Sequence, residues 1–524
     1  SGSPKPADLS IASRKIKAPV PAAAGFPPAA AEFGKKEDRI MKRKIFCFVL
    51  SLIFALSFAA CAPGESETPP DGGTDTIANP WWTTTGTLEK QDGEVVFEDV
   101  EIALTTAVCG EDLAPFNQLV AQFNAEHRGE INIVVTSLSQ GTLESTVAQQ
   151  IQNESNAPDL IMSHQKGHKS FAENHLIQPF DEAMEESGIE ISMADYASGL
   201  ASYTSLGYDG YLFGVPIDAQ SMGVFYNKQL LNKYGGELPT NREELISLCG
   251  RVAAGENITP IAWSTSLEFF VDYIFPTAIV QNGGHFYDEE TYYADWQSDA
   301  ENLAAFKNGI ASIREFVTSG LARLSTPESS ALQSFLSNQA LFYFGMPWNL
   351  NSVLEAYGQQ NGGINVEVVK SDYVGATSVA NWFAMESGTE DGNKIFGDAH
   401  FFAISRTVTD ITKKAAICEF VKWFTQTGSV GAAWGEAGHV SASTIVANDS
   451  AYTGSSLVSD YIGRFFPDIN YFECAGNTPY YSEMFSRLRS LFSEAMNRTS
   501  AADDESLITS AQDGLNAEID FILM

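Results

Sequence analysis

The spacing of apolar residues divides this chain into alternating strand-like and helix-like stretches from about residue 94 onward. Val95–Thr106 reads as a strand region. In Asp112–His127 the apolar positions Leu113, Phe116, Leu119, Val120 and Phe123 fall on one helical stripe. Pro115 is tolerated there because a first-turn N–H has no intrahelical acceptor to lose. Ile131–Val135 is a strand of buried type, Leu143–Gln152 a second helix, and Ala157–Met162 a turn running into a strand. A βαβαβ beginning of this kind predicts a mainly parallel sheet with helices on both faces. Further along, Thr240-Asn241-Arg242-Glu243 reads as a capping box opening a helix through Cys249. Ile310–Val317, Ile411–Phe424 and Tyr481–Phe492 have helical periodicity, while Ala340–Gly345 and His400–Ser405 read as strands. No fixed-period repeat is visible, which argues against a solenoid.

At 524 residues the chain exceeds what one ordinary core accommodates, so two lobes are expected. The 44% hydrophobic and 19% charged composition suits packed globular structure rather than disorder. The net charge of -35 is uneven. Residues 1–60 hold ten Lys/Arg and four Asp/Glu, leaving 21 basic and 62 acidic residues, about -41, for the remainder. Such a surface repels phosphate backbones, so no nucleic-acid partner is expected.

The most basic and the most apolar stretches sit together near the start. Lys42, Arg43 and Lys44 precede an apolar run from Ile45 to Phe58 that is short for a membrane span. The run ends in Phe58-Ala59-Ala60-Cys61. Residues 41–60 therefore read as a signal peptide resembling the lipoprotein type, with Cys61 taking the lipid and Phe58 replacing the usual aliphatic residue. Residues 1–40 are set aside as a leader or mis-extended start. Residues 61–93, rich in Pro, Gly, Thr and Ser, are expected to be a flexible tether. Of the six cysteines, none forms a C-x-x-C pair. Cys109, Cys249, Cys418 and Cys474 read as small buried hydrophobes, although export would permit disulfides.

Catalytic and metal motifs are sparse. H-E-x-x-H, G-x-S-x-G and a phosphate-cradling glycine loop do not occur. His164 and His168 have metal-chelating i,i+4 spacing, with His175 following, but Gly167 interrupts and no carboxylate is fixed by spacing. No metal and no cofactor are expected. Acidic residues are abundant enough that a carboxylate pair for glycoside hydrolysis stays open by counting alone.

Four ordered blocks, spanning about residues 100 to 445, resemble the bacterial extracellular solute-binding proteins of the maltose- and multiple-sugar-binding type. They are Pro158-Asp159-Leu160-Ile161 with Leu176–Asp181; Gly214-Val215-Pro216-Ile217-Asp218 running to Val224–Lys228 and Lys233-Tyr234-Gly235; Ala340 to Trp348; and Phe402–Ser405 with Phe420–Phe424, Trp434 and Gly438–Ser441. The resemblance implies an α/β, periplasmic-binding-protein-like type II fold, two hinged lobes with a ligand cleft between them. Residues 94–216 and 400–440 would form lobe 1, and 217–399 and 441–524 lobe 2. The first crossing would fall at Val215–Gln220 and a return near Gly397–Phe402.

The same resemblance implies candidate site residues. Trp348 matches a stacking tryptophan, core packing being its other reading. Ser163 and Lys166 match site positions in the loop after the Pro158–Ile161 strand, with His164 beside them; neither is the residue of the maltose binder, so the pocket differs. Gln220 falls where that relative has a carboxylate, with Asp218 nearby, and a hinge cap is equally open. Tyr273 aligns with an aromatic contact, counted back from Gly283-Gly284. Glu111 ends the first strand–loop and could equally serve as helix N-terminal charge. Trp263 is a strand-end aromatic. The expected protein is a lipid-anchored monomer on the outer face of the cell membrane. It would take a small polar solute, a sugar above all, and deliver it to the permease subunits of an ABC importer. A lipid-anchored glycoside hydrolase and a surface adhesin on the same fold are the alternatives.

Overall fold

A computed structural model describes residues 80–524 except Asp209, Leu267, Ser298, Thr499 and Ser500. The expected leader, signal peptide and Cys61 attachment point lie outside the described residues. Near the start of the fold come β1 (Val100–Thr106), α1 (Leu113–Glu126), β2 (Ile131–Ser137), α2 (Gln140–Gln152), β3 (Leu160–His164) and α3 (Gln165–Glu173). Next are β4 (Val215–Gln220), β5 (Gly223–Asn227), α4 (Arg242–Glu256), β6 (Ile261–Ala262) and α5 (Ala300–Thr318). They are followed by β7 (Phe342–Gly345), β8 (Val374–Thr377), β9 (Asp398–Ser405), α6 (Ile411–Gln426), α7 (Gly428–Glu436) and β10 (Val440–Ser441). The last long helices are α8 (Tyr481–Met496) and α9 (Asp504–Leu523).

Two sheets organise these elements. The first runs β10-β4-β9-β3-β1-β2, with the short Ile177–Gln178 strand also pairing β9; the second runs β8-β5-β7-β6. Strand β1 is parallel to both β2 and β3, as the opening βαβαβ pattern predicts, but the sheets are mixed rather than mainly parallel: β9 runs antiparallel to β3 and β4, β10 to β4, and β5 to both β7 and β8. Helix α1 buries the Phe116, Leu119, Val120 and Phe123 stripe completely or nearly so. Each such side chain removed from water contributes about 1.5–3 kcal/mol before the entropy of ordering it.

Helix starts follow the local chemistry. Asn241 caps α4, its side-chain oxygen accepting from Glu244 N, while Glu244 reaches back to Thr240 N at 2.8 Å. The reciprocal cap thus sits one residue later than the Thr240–Glu243 spacing suggests. Asp299 caps α5 by accepting from the amides of Glu301 and Asn302 at 2.8 and 2.7 Å.

The chain joins both sheets through consecutive strands. β4 pairs with β9 and β10 in the first sheet, and three residues later β5 begins in the second. β9 re-enters the first sheet at Asp398. The chain therefore leaves the first sheet after Gln220 and rejoins it at Asp398. Pro216 lacks the N–H of a regular ladder, and the β4–β9 register slips beside it: His400 faces Asp218 but Phe401 faces Pro216, leaving Ile217 as the bulged residue.

One expectation needs correcting. The tether placed at 61–93 is docked by residue 81. Trp81 donates from Nε1 to Ile177 O at 2.7 Å and stacks on His175 at 4.1 Å, Trp82 packs on Tyr211 and Phe213, and Thr85 bridges to Asp410. Two tryptophans supply enough apolar area to hold an otherwise polar segment against the first lobe. Cys109, Cys249, Cys418 and Cys474 are free thiols, and all but Cys109 are buried.

Candidate functional site

Cross-strand register collects polar side chains where the chain passes between the sheets. His164 on β3 faces His400 on β9, which in turn faces Asp218 on β4, and Asp218 also faces Ser441 on β10. Directly opposed residues share a face of the sheet, so four neighbouring strands contribute one polar row. The next row along pairs Asp398 with Gln220. Every residue of these two rows is buried.

Asp398 is the centre of one half of the cluster. Its Oδ2 lies 3.0 Å from His164 Nδ1 and 3.1 Å from Lys166 Nζ, while Oδ1 accepts from Ala399 N at 2.9 Å. Burial alone would raise the Asp398 carboxyl, but the Lys166 ammonium and the His164 imidazole outweigh it and hold the group well below the usual carboxylate range. Lys166 responds in the opposite sense: burial disfavours its charge, and the adjacent Asp398 more than restores it, so its value rises. Burial lowers His164, and lowers His168 to about 3, so neither ring carries charge near neutrality.

Asp218 is the centre of the other half. Its carboxylate meets His400 Nδ1 at 3.0 Å and His439 Nδ1 at 3.3 Å, and accepts from Trp434 Nε1 at 2.7 Å. Trp434 stacks flat on His439, the ring centroids 3.9 Å apart. Burial would lower His439, but Asp112 and Asp218 raise it to about 9; Asp218 falls well below its ordinary value although burial opposes this, because of His400 and His439. The loop carrying His439 presses on the second lobe at Gly438. There a Cβ would stand 2.3 Å from Trp348 Cα, and φ is +108°, so only glycine fits.

The second lobe presents aromatics and paired charges opposite. Phe269 stacks on Tyr273 at 5.6 Å and meets Trp348 edge-on at 5.8 Å. The backbone from Phe270 to Ile274 is a π-helical turn, a local widening often found at functional positions, and it carries Asp272 and Tyr273. Arg489 on α8 clamps Asp272 through Nε at 2.7 Å and Nη2 at 2.5 Å. Tyr481, at the start of α8, donates to Glu144 on α2 at 2.8 Å, and Lys166 lies 6.0 Å from the Tyr481 ring. Burial raises the Glu144 carboxyl despite Tyr481 and Lys166. Gln165 Nε2 donates to Gly476 O at 2.8 Å, and Ser352 donates to Glu111 at 3.0 Å. The Tyr481–Glu144, Gln165–Gly476 and Ser352–Glu111 hydrogen bonds each link the two lobes.

Of the residues expected from sequence, Ser163, His164, Lys166, Asp218 and Gln220 gather at the crossing strands, Ser163 Oγ lying 3.4 Å from His168 Nε2. Glu111, Tyr273 and Trp348 lie along the junction between the lobes. Trp348 is half-buried and Glu111 exposed, whereas Tyr273 is 3% exposed. Trp263 stands apart. It is 1% exposed, packed on Phe270, Phe316 and Phe344, with Nε1 donating to Arg323 O. It borders a cavity of about 310 Å³ that also touches Asn257, Arg323 and Gln339. That cavity is walled by the second lobe alone, so lobe closure could not act on it.

Sequence reasoning did not select Glu144, Phe269, Asp272, Asp398, His400, Trp434, His439, Tyr481 or Arg489 as site residues. A signal existed for two of them. In Asp398-Ala399-His400-Phe401-Phe402-Ala403-Ile404, polar residues two apart interrupt an otherwise apolar strand, and two-residue spacing puts them on one face.

Two α/β lobes joined by paired crossing strands, with polar and aromatic groups meeting at the junction, define a binding protein that closes on a small solute. The chain belongs to the bacterial extracellular solute-binding protein family, whose model matches residues 110–430. It is accordingly an extracytoplasmic solute-binding protein rather than a catalyst. Among solved structures it is similar to the sugar-binding protein MalE of Xanthomonas citri, with a TM-score of 0.64 and 16% identity over 81% of this chain and 99% of that one. The cyclic alpha-maltosyl-1,6-maltose binding protein of Arthrobacter globiformis gives 0.60 and 16%, over 80% and 98%. The GacH receptor of Streptomyces glaucescens, solved unliganded and with acarbose, gives 0.59 and 15%, over 80% and 98%. At these identities the likeness establishes the fold. No curated protein matches the chain.

Proposed function

We propose that the protein captures a neutral, hydroxyl-rich solute of the carbohydrate class between its lobes and delivers it to the permease of an ABC importer, anchored to the outer face of the membrane through a lipid on Cys61. The observation that carries this reading is the pairing of an aromatic wall with charges that already have partners. Phe269 and Trp348 are half-buried and offer ring faces to the C–H surfaces of a sugar. Lys166 is held by Asp398, Arg489 by Asp272, and Glu144 by Tyr481. A charged solute would have to break one of these pairs, whereas hydroxyls can join them as additional donors and acceptors. The sugars named for the structural relatives support the same class. Trp348, Lys166, Tyr273 and Glu111 are the sequence-derived contacts this reading retains at the cleft; Ser163, His164, Asp218 and Gln220 shape the strands behind it.

A thermal-shift screen over mono- and oligosaccharides, amines and short peptides tests the proposal. Stabilisation by a carbohydrate, lost in Trp348→Ala, is the expected result. Stabilisation by amines or peptides with none by any sugar would overturn it. Labelling with a palmitate analogue, abolished by Cys61→Ser, tests the anchor separately.

A further inference from the structure

The Asp218 half of the cluster is buried away from solvent, yet it is assembled like a coordination sphere. Asp218, His400 and His439 each bring a ligand-type atom to within 4.8 Å of one another, and all three are buried. In a tetrahedral site with metal–ligand bonds of 2.0–2.1 Å, neighbouring ligand atoms stand roughly 3.3 Å apart. Here Asp218 Oδ2 lies 3.0 Å from His400 Nδ1 and 3.3 Å from His439 Nδ1. A fourth group completes the figure: the Gln220 side-chain amide lies 2.6 Å from His400 Nδ1 and 3.2 Å from His439 Nδ1.

The orientation of that amide matters. With Nε2 toward the two imidazoles, a donor faces ring nitrogens that are also within hydrogen-bonding distance of the Asp218 carboxylate. Turning the amide by half a revolution, a choice fixed only by hydrogen bonding, puts Oε1 at the same point. One carboxylate oxygen, one amide oxygen and two imidazole nitrogens then converge. The surroundings are those of a supported site. Trp434 donates to the Asp218 oxygen at 2.7 Å and stacks on His439, and Asp112 Oδ2 lies 3.6 Å from His439 Nε2, a ring nitrogen with no hydrogen-bond partner among the described residues. A carboxylate behind a ligating imidazole is the usual way its orientation is fixed.

We propose that Asp218, His400 and His439, with Gln220 as fourth ligand, form a structural site for a divalent transition metal of the zinc type. Two imidazoles select against magnesium and calcium, which take oxygen ligands. The ligands come from β4, from β9 and from the link between α7 and β10, so the metal ties the outgoing and returning strands of the lobe crossing to one another. The site is independent of the solute identity proposed above.

The test uses the purified chain stripped with a chelator. Circular dichroism first checks that it stays folded, and it is then titrated with Zn²⁺ by calorimetry and with Co²⁺ by visible absorption. The expected result is uptake of one ion per chain, with the intense d–d bands of tetrahedral cobalt. His439→Ala or His400→Ala should abolish the bands, while His285→Ala, at a half-exposed ring outside the set, should leave them. A folded, stripped chain that takes up neither ion would overturn the proposal. So would uptake that survives both His439→Ala and His400→Ala, since the metal would then sit elsewhere. If an alanine variant fails to fold, His439→Gln and His400→Gln, which keep a polar side chain of similar reach, are titrated in its place and should lose the cobalt bands in the same way.

Discussion

Replacing Asp398 by Asn removes the charge that holds Lys166 and His164 and leaves the shape of the side chain almost unchanged. The Asp398 side chain is 3% exposed and that of Lys166 20%, so solvent screens the pair weakly. At the observed 3.1 Å, an effective dielectric constant of 20 gives an attraction of roughly 5 kcal/mol. Desolvation of the two ions takes back much of that, but deleting one partner strands the other, and such deletions cost about 3–5 kcal/mol. His164 cannot substitute, since burial keeps its ring neutral near pH 7. Asp398→Asn should therefore lower unfolding stability by about 3 kcal/mol at pH 7 in urea denaturation, with an unchanged m-value. Because the folded-state pKa of Asp398 is depressed, its contribution is complete above the ordinary carboxylate value of about 4 and disappears as pH falls below it. The gap between wild type and Asp398→Asn should stay constant from pH 5 to 8 and narrow below about pH 4. Lys166→Met should cost a similar amount, and the double variant much less than the sum, since the two act as a unit. A loss under about 1 kcal/mol, or a gap that does not respond to acid, would refute the reasoning.

Three further outcomes follow from the same geometry. Tyr481→Phe removes a donor to Glu144 that links the lobes, so calorimetry should show solute affinity reduced by about 1.5–3 kcal/mol, the range for a hydrogen bond to a charged group. Trp348→Ala should weaken solute binding at least tenfold, about 1.4 kcal/mol, with circular dichroism unchanged, because the ring is only half-buried. Asp299→Ala removes an N-cap accepting two amides and should lower stability by about 1 kcal/mol in urea denaturation, with solute affinity unaffected.

Much of the first lobe was legible because its signals are local. The stripe Phe116–Leu119–Val120–Phe123 announces a helix without help from the rest of the fold, and the Val100, Ile131 and Leu160 strands alternate with helices in the order that makes a parallel sheet. The Val215–Gln220 crossing was found through its resemblance to known relatives. The bulge at Ile217 depends on where a distant strand pairs, and no local pattern encodes that. The site was half legible for the same reason. His164, Lys166, Asp218 and Gln220 lie on recognisable segments, but their partners Asp398, His400 and His439 arrive from about 180 to 235 residues away in sequence. Trp81 and Trp82 show the opposite failure. Composition marked 61–93 as a tether, and two large rings outweighed the polar residues around them.

Isothermal titration calorimetry of the purified chain against the best carbohydrate from the screen tests the central claim most directly. The account predicts saturable binding of one sugar per chain, with a negative heat-capacity change from burial of the aromatic wall and loss of the signal in Trp348→Ala. A folded protein that gives no heat with any carbohydrate, but titrates with an amine or a peptide, would contradict it.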